Sequence, residues 1–259
     1  MDDSNSIPFL TDQSALFFDV DGTLTPIAAR PDDVRIASAL LEQLNQLNNH
    51  LGRAVALVSG RSVASLDHLT RPFSFCLAGQ HGLEIRQDHT HHMPDVEERE
   101  ALQAIEAELQ AWATPPLLLE EKGFSFAVHY RQAPDLEEKV RSKIHELAEP
   151  HSDTLRVQEG KMVIEIRLKG SDKGTAVRQL MTTPPFDSRT PYFFGDDLTD
   201  EDGFKAVNDL GGISVKIGRG RNETAAQYRL DDVDHLAEWL NDQTLQLLHP
   251  QPEILGESS

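Results

Sequence analysis

The run SALFFDVDGT, residues 14–23, passes from apolar positions straight into two acids, Asp19 and Asp21, and a glycine. Like charges that close repel, and a carboxylate at the rim of a core is costly unless something compensates it. A short buried strand that delivers carboxylates at its carboxyl end satisfies both constraints. Further runs of the same kind follow: AVALVSG (54–60), FCLAG (75–79), PYFFGDD (191–197) and GISVKIG (212–218). Between them lie amphipathic stretches of helical period, 32–50, 62–69, 172–181, the segment TDEDGFKAV and about 232–248. Apolar strands alternating with helices predict a parallel sheet covered on both faces, with its site at the strands' carboxyl ends.

The 259 residues carry 39% hydrophobic side chains and a net charge of −19, with no Lys or Arg from Asp231 onward. That balance argues against nucleic acid and anionic membrane surfaces as partners. No apolar run approaches the roughly 20 residues of a membrane span. The first ten residues lack the basic and apolar regions of a signal peptide. Cys76 is alone, so no internal disulfide forms, and its strand setting predicts a buried thiol. These features suit a cytoplasmic protein, and the absence of a spare apolar face suggests a monomer.

The middle of the chain reads differently. A helix with Leu102, Ile105, Leu109 and Trp112 on one face precedes a hairpin turning at Lys122-Gly123. A second helix over 135–149 precedes a hairpin around Glu159-Gly160. Phe124, Phe126, Val128 and Tyr130 share one face of the first hairpin's second arm, and Met162, Ile164, Ile166 and Leu168 share one face of the second's. The order helix–hairpin–helix–hairpin predicts a four-stranded sheet with both helices on one face and a mostly polar face opposite. We therefore expect an inserted α+β domain over 87–168, within an α/β domain formed by 1–86 and 169–259. His89, His91 and His92 read as a solvated loop, since no Cys is near.

Asp19-Val20-Asp21-Gly22-Thr23 is not an EF-hand, which needs Gly at loop position six and Glu at twelve. Helix capping by Asp21 is a bland alternative. A Mg²⁺ site neutralises the repulsion better, since Mg²⁺ takes oxygen ligands. A second acidic arm is GDDLTDE (195–201), with Asp196, Asp197, Asp200 and Glu201; capping and turn roles account for Asp197 and Glu201. Lys173 opens a helix capped by Ser171 or Asp172, and Ser59 ends a strand.

D-x-D-G-T, then hydrophobic-S-G-R, then Lys, then G-D-D-x-x-D, in that order, resembles the haloacid dehalogenase superfamily of phosphotransferases. The resemblance implies a Rossmann-like core and an aspartyl-phosphate mechanism. In it Asp19 is the nucleophile, and Asp21 protonates the leaving alcohol and later deprotonates water. Crowding by carboxylates is expected to favour the protonated form of Asp21. The resemblance also implies that Mg²⁺ is held by Asp19, the Asp21 main-chain oxygen and Asp196, and that Ser59 and Lys173 hold the phosphoryl oxygens.

An insertion between the Ser59 and Lys173 elements resembles the type-two cap of sugar phosphatases. The stretches AGQHGLEIR (78–86), LEEKGFSFAVHYR (119–131), EGKMVIEIRLKGSDKG (159–174) and FFGDDLTDE (193–201) are similar to the trehalose-6-phosphate phosphatase family, over about residues 14–245. That resemblance implies release of trehalose and phosphate from the phosphorylated disaccharide, in trehalose biosynthesis. It further implies sugar-binding roles for Glu120, Lys122, Arg131, Lys161 and Glu165, with His81 at the cap or substrate. Whether Glu120 or Glu121 faces the sugar depends on a one-residue register. Another sugar phosphatase or phosphomutase with the same cap stays open as an alternative. So does a phospho-accepting signalling domain, against which the second Asp and the large insertion count.

Overall fold

The computed structural model describes residues 6–28, 30, 33–88, 90–121, 123–160, 162–220 and 223–248. The core sheet begins with β1 (Ser14–Phe18), β2 (Val55–Val58) and β3 (Cys76–Gly79), with α1 (Ser38–His50) and α2 (Val63–Thr70) between them. All residues of β1 and β2 are buried, as strands covered on both faces require. After β3 the sheet turns antiparallel through β4 (Glu84–Gln87) and β5 (Thr90–His92). The insertion follows: α3 (Val96–Trp112), β6 (Leu118–Glu121), β7 (Ser125–His129), α4 (Glu137–Ala148), β8 (Leu155–Gly160) and β9 (Val163–Leu168). The chain then completes the core with α5 (Lys173–Leu180), β10 (Thr190–Gly195), α6 (Glu201–Asp209), β11 (Ile213–Ile217), β12 (Tyr228–Leu230) and α7 (Val233–Leu248).

The eight-stranded sheet has the order β12-β11-β10-β1-β2-β3-β4-β5, and the insertion forms a separate antiparallel sheet β6-β7-β9-β8. The fold is a Rossmann-like core carrying an α+β insertion. Each has its own apolar cluster. In the insertion Phe124, Phe126, Val128, Ile164, Ile166 and Leu168 pack against Leu102, Ile105, Leu109, Val140 and Ile144 of the two helices. Both helices therefore cover one face of the small sheet, as expected, and the other face is open.

Three local expectations are corrected. The helix expected over 32–50 starts only at Ser38. Val34 and Ile36 are buried at alternate positions of an extended segment, where Thr25 Oγ1 donates to the Arg35 carbonyl. His91 and His92 belong to an exposed strand, not to a loop, and His89 lies outside the described residues. Edge pairing with β4 and the His91 Nε2 contact to Glu84 Oε1 (3.0 Å) hold that strand. The core sheet thus runs to His92, past the boundary expected at residue 87.

Aromatic packing sets the register at the sheet's centre. Phe17 pairs with Phe193 and Phe18 with Phe194, and the Phe18 and Phe194 rings stack at 4.8 Å. The strands therefore end together, and Asp19 and Asp196 emerge side by side at their carboxyl ends.

Candidate active site

Asp19, Asp21, Ser59 and Lys173 converge at the carboxyl ends of β1 and β2 and the start of α5. They line a cleft of about 630 Å³ that also reaches Glu120, Glu165 and Arg167 of the inserted sheet. A concavity of about 700 Å³ between α4 and β8 holds none of these residues.

Lys173 is 2% exposed and donates to Asp19 Oδ1 (2.7 Å) and Asp200 Oδ1 (2.6 Å). Its helix is capped by Asp172, whose Oδ1 accepts from Thr175 N at 2.7 Å. Burial opposes its ammonium, yet Asp19, Asp200 and Asp197 together raise its pKa above the ordinary lysine value. The carboxylates move the same way. Burial pushes Asp19 up to about 6 against the pull of Lys173. Burial, then Asp200 and Asp197, push Asp196 up to about 7.

Asp19, Asp196 and Asp200 offer ligand atoms within 4.8 Å of one another. Asp200, fully buried, uses both oxygens inside the protein: Oδ1 on Lys173, and Oδ2 on the Asp196 and Asp197 N–H groups, both at 2.9 Å. Asp196 Oδ1, by contrast, is buried with no hydrogen-bond partner. Gly22 makes room for this carboxylate: with φ +93°, a Cβ there would lie 2.1 Å from Asp196 Oδ2. An orphaned carboxylate oxygen among crowded acids is a donor set suited to a hard cation. Asp19 and Asp196 are the open ligands, and Asp200 orients the groups around them.

Asp21 stands outside this trio. Its oxygens accept from Arg61 Nε (2.6 Å) and Nη2 (2.7 Å) in a bidentate pair. The expected carboxylate crowding therefore falls on Asp19, Asp196 and Asp200, and a guanidinium faces Asp21 instead.

Ser59 is buried, and its Oγ accepts from Arg61 N at 3.3 Å. His81 lines the cleft in a left-handed backbone conformation, φ 58°. In the inserted sheet Glu120 lies opposite Ala127, which lies opposite Glu165. All three share the open face. Glu121 falls in the row of Phe126, on the covered side, although it also borders the cleft. Arg131 lies past the end of β7, exposed, and does not line the cleft. Lys122 and Lys161 lie outside the described residues. Asp200, Arg61 and Arg167 had no assigned role in the sequence reading. Two of them left a trace there, Arg61 as the third residue of the S-G-R motif and Asp200 as the last acid of G-D-D-x-x-D. Asp197 and Glu201 are structural: Asp197 Oδ1 accepts from Thr199 N and Glu201 Oε2 from Ala225 N.

A family model described as trehalose-phosphatase matches residues 17–234. The chain belongs to the trehalose-phosphatase family. This makes it a phosphoric monoester hydrolase with the haloacid dehalogenase type of core. It is 42% identical over 237 residues to trehalose-6-phosphate phosphatase of Escherichia coli (strain K12), covering 90% of this chain and 87% of that one. It superposes with a TM-score of 0.73 on the crystal structure of a trehalose-6-phosphate phosphatase related protein, at 26% identity, over 89% of this chain and 97% of that one. A haloacid dehalogenase-like hydrolase from Bacteroides thetaiotaomicron matches at TM-score 0.67 and 17% identity, over 88% and 98% of the chains, which shows the fold alone. The four sequence elements meet at the carboxyl ends of the central strands β10, β1 and β2 and the start of α5. Among the described residues no helix is long and apolar enough to cross a membrane.

Proposed function

We propose that this protein hydrolyses trehalose 6-phosphate to trehalose and phosphate through an aspartyl-phosphate at Asp19, with Mg²⁺ bound at Asp19, Asp196 and the Asp21 main-chain oxygen. The observation that carries the chemistry is the buried Lys173, bonded to Asp19, beside the partnerless Asp196 oxygen. In this reading an Asp19 carboxylate oxygen forms a bond to phosphorus as the bond from phosphorus to the sugar oxygen breaks. Asp21 gives that oxygen a proton. Water then attacks phosphorus, the bond to Asp19 breaks, and Asp21 takes the water's proton. A bound divalent cation supplies charge neutralisation and lowers the repulsion among the acids.

Arg61 has a consequence for this cycle. It takes one lone pair of each Asp21 oxygen and leaves the other for the proton that Asp21 moves. Ser59 and Lys173 hold phosphoryl oxygens, and Lys173 stays charged throughout.

The inserted domain, starting after His92 and ending at Leu168, acts as the cap in this reading. Glu120 and Glu165 accept from sugar hydroxyls, with Lys122, Lys161 and His81 as further contacts; Arg131, which does not line the cleft, has no contact in this reading. Acid quench of a single turnover followed by peptide mapping tests the mechanism. Phosphate on Asp19, and its absence in Asp19→Asn, is the expected result. Retained turnover in Asp21→Asn would remove Asp21 from the acid–base role.

A further inference from the structure

Arg167, next to last in β9, is on the open face of the cap sheet, lines the cleft and is 7% exposed. Its Nε has no hydrogen-bond partner, and the guanidinium meets no carboxylate among the described residues. The other arginine and lysine of the described cleft lining are paired: Arg61 with Asp21, and Lys173 with Asp19 and Asp200. A buried charge without a partner costs stability. In a chain of net charge −19 such a cation is not there for lack of acids. It is held for something that enters the cleft.

Register shows what that is. Arg167 pairs across the sheet with Ser125, one row from the Ala127–Glu165 row that also holds Glu120. One row is two residues, about 6.6 Å. The Ser125 end is the one nearer the core: at Gly123, just before β7, a Cβ would lie 3.1 Å from Gln80 Nε2. Arg167 thus stands between the phosphoryl chemistry at Asp19 and the two cap carboxylates.

We infer that Arg167 is a substrate-binding residue that donates from its planar fork to oxygens of the sugar ring carrying the phosphate ester, while Glu120 and Glu165 meet the more distant part of the substrate. This rests on the phosphatase reading above and adds a specificity role to it. A guanidinium suits adjacent hydroxyl oxygens because its donors are fixed in one plane.

The test compares wild type, Arg167→Met and Arg167→Lys on trehalose 6-phosphate and on p-nitrophenyl phosphate, with melting temperatures. Wild-type turnover of the aryl ester without turnover of trehalose 6-phosphate would overturn the phosphatase reading itself, whatever the variants do. For Arg167 the expected result is a fall of about tenfold or more in the ratio of kcat/KM for trehalose 6-phosphate to that for the aryl ester, mainly through KM. Arg167→Lys falls between. The melting temperature of Arg167→Met stays at or above that of wild type, because an uncompensated buried charge has been removed. An equal fall on both substrates places Arg167 at the phosphoryl group and overturns the inference. So does an unchanged ratio. A destabilised or unfolded Arg167→Met overturns it too, since that is the behaviour of a structural arginine.

Discussion

Asp200→Asn separates holding the site together from merely filling it. Asp200 makes three charge-assisted bonds, to Lys173 Nζ (2.6 Å) and to the Asp196 and Asp197 N–H groups (2.9 Å each). An asparagine has one acceptor oxygen where aspartate has two. If that oxygen keeps the two N–H groups, the amide NH₂ faces the lysine ammonium. One hydrogen bond to a charged group is then lost, about 1.5–3 kcal/mol. Against this, the trio of acids loses two repulsions, of Asp200 with Asp19 and with Asp196, each about 3.5 kcal/mol at 4.8 Å with an effective dielectric of about 20, while Lys173 loses the attraction of one carboxylate, about 6 kcal/mol at 2.6 Å on the same scale. These effects nearly offset in the metal-free protein, so its melting temperature shifts by only about 5 °C or less. Activity has no such compensation, because Lys173 is left with one anchor and Asp196 with a looser loop. The expected loss in kcat is about ten- to a hundredfold, the equivalent of the lost bond. The Mg²⁺ concentration for half-maximal rate rises as well. Kinetics across a Mg²⁺ titration, with calorimetry on the same preparations, reads all three quantities. A variant with wild-type kcat and Mg²⁺ dependence would refute the assignment of Asp200 as the residue that orients Lys173 and Asp196.

Further outcomes follow from the same geometry. Arg61→Lys cannot reproduce the two parallel bonds to Asp21, so kcat on trehalose 6-phosphate falls by about tenfold with the fold intact by circular dichroism. Glu120→Gln and Glu165→Gln raise KM for trehalose 6-phosphate by more than Glu121→Gln does, because only the first two lie in the open-face row; steady-state kinetics checks the order. Asp19 and Asp196 are raised to about 6 and about 7, so in the folded metal-free protein they bind protons more tightly than when unfolded. Their contribution to stability is present below about pH 4 and is lost as pH rises through 6 to 7. Mg²⁺ needs the ionised forms, so calorimetry finds a larger Mg²⁺-induced rise in melting temperature at about pH 8 than at about pH 5. The thiol of Cys76, pushed up to about 12 by burial, reacts with a disulfide reagent only once the protein is denatured.

Much of this arrangement was legible in the chain because local pattern and tertiary role agree. β1, β2 and β10 are continuous apolar runs buried on both faces, and the alternation in β7 and β9 points to the covered face of the cap. The errors occur where those patterns part. Val34 and Ile36 sit near helical spacing with α1 but are buried as an extended segment. Strand β5 is three exposed residues, THH, whose pairing with β4 leaves no hydrophobic trace. The pairing of Asp21 with Arg61 spans 40 residues, so crowding inferred from the D-x-D spacing assigned the repulsion to the wrong carboxylate. Arg167 sits on the strand face that the sequence marks only as mostly polar. It is buried beside a cleft that also takes in Gln80 and His81 of the core, a long-range meeting that no local pattern records.

The proposed mechanism joins metal-dependent phosphoryl chemistry at Asp19 to a disaccharide-selecting cap. Phosphate release from trehalose 6-phosphate, measured beside glucose 6-phosphate and sucrose 6-phosphate with Mg²⁺ and with EDTA, tests it most directly. We predict strong preference for trehalose 6-phosphate, abolished by EDTA and by Asp19→Asn. Equal or better turnover of the other sugar phosphates, or turnover that survives EDTA, would contradict it.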